Sequence, residues 1–205
     1  MNKAYLQILI SGLFLWIFAV VGTSLVAVTE TTTKTRIAEN ERIVLLRNLN
    51  ALLPAGKFDN DITSDTALVP SAKLLGTEQP GIVYRARLNG QPVAAIFNSV
   101  APNGYSGKIY LLVGVYADGS VAGVRAVKHS ETPGLGDAIE TQKTSWIFGF
   151  NNKSLDNPPL SKWRVKRDGG EFDQFTGATI TPRAVVQAVK NTLLYYQQNA
   201  GTIFQ

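Results

Sequence analysis

"IVYRARLNGQPVAAIFNSV", Ile82–Val100, decides the fold. Apolar side chains recur at every second position in both halves, the period of a strand, and Asn89-Gly90 between them is the pair that a two-residue hairpin turn favours. A second pair follows: "KIYLLVGVY", Lys108–Tyr116, and "SVAGVRAVK", Ser120–Lys128, meet across Ala117-Asp118-Gly119. The first of these is apolar on both faces, as a strand at a sheet centre is. Such a sheet needs helices as cover. "RAVVQAVKNTLLYY", Arg183–Tyr196, keeps a helical apolar period behind Thr181-Pro182, which reads as an N-cap followed by a first-turn proline. A helix from Pro182 to about Gln198 is predicted. The fold class is therefore α+β, with antiparallel hairpins covered by helices.

Toward the N-terminus, "AYLQILISGLFLWIFAVVGTSLVAVT", Ala4–Thr29, contains no charged residue. About 20 such residues suffice for a helix to cross a bilayer, and the apolar core of a cleaved signal is shorter, about 7 to 15. The stretch reads as an uncleaved single-span transmembrane helix. Lys3 stands before it, and Lys34, Arg36, Arg42 and Arg47 stand after it, so a literal positive-inside count turns the main domain inward. Leu46, Leu49 and Leu53 mark one face of a further helix from Arg36 that extends or follows the anchor and stops at Pro54. Lys57–Gly76 is polar and weakly patterned, a connector.

Composition excludes several classes of chemistry. The 205 residues include no cysteine, so disulfides, thiolate-held clusters and thiol nucleophiles are absent, and redox chemistry here needs another cofactor. A single histidine argues against a protein-bound zinc or copper site, so no metal is expected. The net charge of +5 arises from scattered Lys and Arg without a basic cluster, which gives nucleic-acid binding no support.

Two loops have unusual composition. "HSETPGLG", His129–Gly136, ends a predicted strand, and "FDQFTGATITP", Phe172–Pro182, leads into the last helix. Gly177 and Ala178 leave the Thr179 hydroxyl openly presented two residues before the expected N-cap, Thr181, where unpaired backbone N–H groups suit a phosphate. Taken by spacing alone, both loops read more readily as plain turns. His129 beside Ser130 lacks the third orienting group of a hydrolase, and no catalytic residue is assigned. Trp146 and Trp163 read as core residues, Tyr105 as a loop aromatic bordering the site, and Glu131 as either a ligand of a bound group or the backbone or a surface carboxylate.

"DQFTGAT", Asp173–Thr179, matches the pattern D-x-x-[ST]-G-A-[ST] that a flavin transferase reads when it joins FMN through its phosphate to the final hydroxyl. With "GYSGKIYLLVGVYADGSVAGVRAVKHSETPGLGD", Gly104–Asp137, and "DGGEFDQFTGATITPRAVVQAVK", Asp168–Lys190, the chain resembles the G subunit of the Rnf (Rsx) ion-translocating electron transport complex. The sister family, the C subunit of the sodium-translocating NADH:quinone reductase, shares the loop pattern but not the "DGG" and "TPRAVV" flanks.

The resemblance implies FMN esterified to Thr179, with Asp173, Thr176, Gly177 and Ala178 as the transferase motif. Glu131, Thr132, Gly134, Leu135 and Gly136 are then the wall beside the flavin ring. It further implies an inner-membrane protein with its main domain in the periplasm, against the charge count. The partners it implies are an assembly of six subunits, the flavin transferase during maturation, and membrane lipid. The expected division is a transmembrane anchor over residues 1–29, a juxtamembrane helix and connector over 30–76, and an FMN-binding domain over 77–205. The rival readings are an anchored binding or assembly domain without cofactor, and a periplasmic flavoenzyme with its own small substrate.

Overall fold

The computed structural model describes residues 3–54, 56–70 and 72–205. Met1 and Asn2 of the expected anchor, and Ala55 and Ser71 of the expected connector, lie outside the described residues. The chain divides into two compact units, Met1–Leu46 and Arg47–Gln205.

The first unit is helical. One helix, α1, runs over Lys3–Leu52 and is long and apolar enough from Tyr5 onward to cross a membrane. Its apolar side chains, Phe14, Trp16 and Phe18 among them, are exposed, so the protein itself offers them no cover. Within the helix, threonine hydroxyls bond back to the carbonyls of the preceding turn. Thr23, Thr29, Thr31 and Thr32 donate to the carbonyls of Ala19, Leu25, Ala27 and Val28 at 2.7 to 3.1 Å.

The second unit is a five-stranded antiparallel sheet in chain order, β1 (Thr66–Val69), β2 (Gly81–Leu88), β3 (Gln91–Gly104), β4 (Gly107–Tyr116) and β5 (Val121–Lys128). Asn89 and Gly90 have φ of 51° and 75°, the left-handed pair of a type I′ turn, and Leu88 faces Gln91. At the β4–β5 turn Gly119 has a φ of 86°, and Asp118 Oδ1 accepts the Ser120 N–H at 2.9 Å and hydroxyl at 2.7 Å. Both predicted hairpins are present. The connector holds one strand that its polar pattern did not announce: β1 pairs with β2 and forms an edge.

Helix α2, Ile180–Ile203, packs on β3 and β4. Val185, Val186, Val189 and Leu193 are buried with Phe97, Leu111, Val113 and Val115 of the sheet, and Phe97 meets Tyr195 and Tyr196 edge-on at 6.0 and 6.2 Å. Strand alternation puts Ala86, Ala94, Ile96 and Leu112 on the opposite face, where they too are buried. There the last turn of α1 closes in: a Cβ on Gly123 of β5 would stand 3.0 Å from Leu52 Cδ2, and Arg125 Nη2 donates to the Ala51 carbonyl at 2.6 Å.

Between β5 and α2 the chain makes short 3-10 turns around an aromatic group, with Phe150 stacked on Phe172 at 4.7 Å and Trp163 against Phe172 at 5.0 Å. Trp163 is fully buried as expected. Trp146 is only half-buried, because its indole sits at the edge of this group facing the motif loop.

The two ends of α2 are treated differently. At the C-terminal end, Arg87 Nη2 donates to the Phe204 carbonyl at 2.8 Å and Arg85 Nη1 to that of Ile203 at 3.5 Å. Asp65 holds both guanidinium groups, at 2.5 Å from Arg85 Nε and 2.9 Å from Arg87 Nε. At the N-terminal end α2 begins at Ile180, two residues before the predicted start, and Thr179 occupies the N-cap position. The expected cap, Thr181, is fully buried inside the first turn, and its hydroxyl donates to Glu131 from the loop after β5. A tertiary partner fifty residues away has displaced the local preference. Pro182 is tolerated one turn in because the first N–H groups of a helix have no intrahelical acceptor.

Candidate functional site

Both unusual loops fold as the same device. In Thr132-Pro133-Gly134-Leu135 the Leu135 N–H reaches the Thr132 carbonyl at 3.1 Å and Gly134 has a φ of 78°. In Phe175-Thr176-Gly177-Ala178 the Ala178 N–H reaches the Phe175 carbonyl at 3.2 Å and Gly177 has a φ of 80°. Each turn needs a glycine at its third position, where a left-handed backbone is required. The two turns meet: a Cβ on Gly177 would lie 3.5 Å from Leu135 Cδ2.

Where they meet, a cleft of about 260 Å³ opens, lined by Tyr105, Glu131, Thr132, Leu135 and Gly136, and by the run Gly177–Thr181. Three segments far apart in the chain build it: the β3–β4 turn, the loop after β5, and the entry to α2. Of the residues expected at the site, Glu131, Thr132, Leu135, Gly136, Gly177, Ala178 and Thr179 are brought together here. Gly134, Asp173 and Thr176 stand outside the lining. Gly134 shapes the turn behind Leu135, and Thr176 is exposed on the outer side of its own turn. Tyr105 borders the cleft, as expected.

Asp173 is held at the surface by its neighbours. Its carboxylate pairs with Lys166 at 2.7 Å, a hydrogen bond that raises the lysine pKa, and its carbonyl accepts the Trp146 indole N–H at 2.8 Å. Trp146 also meets Phe175 at 5.0 Å, so one indole grips the motif loop twice. On the other flank Arg183 makes a double hydrogen bond to Asp168, both at 2.6 Å, and these bonds hold the Asp168 carboxyl below the usual range.

Thr179 lines the cleft at the N-cap position, yet its side chain makes no capping hydrogen bond. The Thr179 hydroxyl therefore stands at the start of α2, where unpaired N–H groups and the positive end of the helix dipole favour an anion. Glu131 is buried, not a surface carboxylate. It accepts from Thr181 and from the backbone N–H groups of Tyr105 and Ser106, at 3.3 and 2.9 Å for the latter two. Ile180 and Thr181 also line the cleft, and the sequence hid both: Thr181 carries the signature of a cap, and Ile180 that of a residue before the helix.

The cleft is apolar where Leu135, Ile180 and Tyr105 reach its mouth, and bare of side chain at Gly136 and Gly177. An apolar wall with glycine approaches suits a flat ring, and a hydroxyl at a helix start suits a phosphate. The residues present fit FMN. A larger cleft of about 420 Å³ lies on the far side of Ile180, lined by Arg164, Asp168 and Arg183. Its Arg183 and Asp168 satisfy each other, and apart from Ile180 it shares no lining residue with the smaller cleft.

Comparison with known proteins bears on the whole chain. Residues 104–194 match the model of the FMN-binding domain, and residues 1–52 match that of the RnfG N-terminal region. The chain is 50% identical over 194 residues to the G subunit of the ion-translocating oxidoreductase complex of Pseudoalteromonas atlantica, covering 95% of this chain and 90% of that protein. It is 51% identical over 189 residues to the protein of the same name from Pseudomonas aeruginosa, covering 92% and 88%. To that of Vibrio atlanticus it is 47% identical over 189 residues, covering 92% and 90%.

Proposed function

The chain belongs to the family of G subunits of the ion-translocating oxidoreductase complex, and on that premise we propose that it carries electrons on an FMN held by a phosphoester at Thr179. It is an electron transport subunit with an FMN-binding domain. The observation that carries the attachment point is the Thr179 side chain, free of any capping bond and open to the cleft at the start of α2. An ester there leaves the phosphate one negative charge, which the helix terminus stabilises. FMN supplies one- and two-electron transfer; the protein sets where the ring lies and how exposed it is.

Asp173, Thr176, Gly177 and Ala178 are the stretch that a flavin transferase reads. Their arrangement supports this, since Asp173, Thr176 and Gly177 are exposed on a loop that Trp146 holds in place. Glu131, Thr132, Leu135 and Gly136 form the wall, with Gly134 turning the chain behind it. The cleft's 260 Å³ falls just below the range of about 300 to 1,000 Å³ that encloses small molecules, so a flavin tethered here keeps an edge in the open. That favours a carrier over a flavoenzyme with a substrate pocket of its own.

The remaining parts of the reading are a single span of the inner membrane by α1, the second unit in the periplasm, and a six-subunit assembly around the protein. Mass spectrometry of the purified protein's peptides tests the attachment: FMN phosphate is expected on Thr179, and flavin on Thr176 or on no peptide overturns the assignment. Protease added to intact spheroplasts tests the orientation. Removal of the second unit is expected, and protection until the inner membrane is opened would put that unit inside the cell.

A further inference from the structure

Glu131 is 4% exposed, and its two oxygens accept three hydrogen bonds, from the Thr181 hydroxyl and the N–H groups of Tyr105 and Ser106. Its own N–H donates to His129 Nδ1 at 3.2 Å. One side chain thus ties together the β3–β4 turn, the loop after β5 and the first turn of α2. The surroundings are closed in around it. A Cβ on Gly136 would lie 2.8 Å from Glu131 Cβ and 2.9 Å from Thr181 Oγ1, and one on Gly104 would lie 2.9 Å from Glu131 Oε1.

Left to its local preference, Thr181 before Pro182 would cap the helix, and residues 179 and 180 would belong to the loop. Glu131 takes the Thr181 hydroxyl instead. The helix then starts at Ile180, and Thr179 becomes the terminal residue with a free side chain. The same carboxylate lines the cleft and places a negative charge there.

We infer that Glu131 is the positioning residue of the flavin site: by binding Thr181 it fixes where α2 begins, so that Thr179 presents the attachment hydroxyl, and its charge makes the bound flavin harder to reduce. The inference rests on the attachment reading above. A fixed anion beside a redox group disfavours each added electron, which separates the effect of its charge from the effect of its bond.

The test uses the full-length protein, produced with a flavin transferase and purified in detergent. Thr181→Val keeps the shape and the Glu131 charge but removes the tie; Glu131→Gln keeps the size and removes the charge. Covalent FMN is expected to fall severalfold in both, measured by in-gel fluorescence against protein. The flavin that does attach is expected to show a raised midpoint potential in Glu131→Gln and a much smaller change in Thr181→Val. Glu131→Asp, which restores the charge, should bring the potential back toward the wild-type value. Wild-type occupancy and potential in both variants would overturn the inference while leaving Thr179 as the acceptor. Equal losses of flavin and thermal stability with an unmoved potential would also overturn it, reducing Glu131 to a packing residue. A variant that does not fold leaves the other two to decide between these outcomes. Wild-type protein without flavin on Thr179 overturns the attachment reading itself, and the inference with it.

Discussion

The two ends of α2 solve the same problem in opposite ways. Every helix leaves backbone groups unpaired at both ends. At the C-terminal end Arg85 and Arg87 take the carbonyls of Ile203 and Phe204, and Asp65 locks both arginines to the first strand's approach. At the N-terminal end the N-cap residue makes no capping hydrogen bond: Thr181 is turned inward to Glu131, and Thr179 lies beside a cleft. The contrast teaches where stability and chemistry divide along one element. Bonds that finish a helix hold the fold, and bonds withheld from its other end leave a site for a ligand.

The largest effect that can break this contrast is all-or-none. Thr179→Val keeps the β-branched shape and removes the hydroxyl, so covalent flavin should vanish while the thermal unfolding midpoint stays close to that of the wild type. Full in-gel flavin fluorescence in that variant would mean that the free N-terminal end is not the attachment point.

At the opposite end, Asp65→Ala should leave flavin attached and cost stability. Removing a carboxylate that two half-buried arginines share is expected to cost about 2 kcal/mol, measured by thermal unfolding in detergent. Burial alone would push the Asp65 pKa up, but hydrogen bonds from Arg87 and Arg85 outweigh it and hold the carboxyl below its ordinary value. The stability it contributes is therefore complete above the unfolded pKa of about 3.9 and is lost as pH falls through the lower folded value. Wild type should lose this advantage over Asp65→Ala in strong acid, and a gap between the two that stays constant down to about pH 2 would refute the sign.

The smallest expected effect sharpens the picture of the wall. Leu135→Asp places a carboxylate beside the ring position without touching the ester, so the flavin potential should fall while occupancy is kept. An unchanged potential and visible spectrum in a folded Leu135→Asp protein would move the ring away from the Thr132–Leu135 turn.

The hairpins were legible because alternation and an Asn-Gly turn are local signals, complete within about twenty residues. The edge strand β1 was not, since four residues give alternation no length in which to declare itself, and its pairing with β2 is all that defines it. The motif loop announced itself through Asp173–Thr179, and Tyr105 and Glu131 were expected beside it, but the part of Ile180 and Thr181 in the cleft was not legible, because it arises only where the three segments converge in three dimensions. The same cause moved the helix start. Thr181-Pro182 obeys every local rule for a cap, and a buried carboxylate from another loop overrules it.

The brevity of β1 bears on how the protein behaves in a crowd. A sheet edge presents unpaired backbone groups, and long flat edges recruit other chains into aggregates. Here the outer edge is four residues long, and Pro70, which has no N–H to donate, follows it at once. Leu68, 82% exposed, is the one large apolar side chain that this edge turns to solvent among the described residues. The opposite edge is closed at its start, where Val121 exchanges backbone hydrogen bonds with Asn152 and Lys153, both at 2.8 Å. The border at β1 therefore offers a neighbouring copy little ladder to extend, which keeps copies held close together as separate molecules.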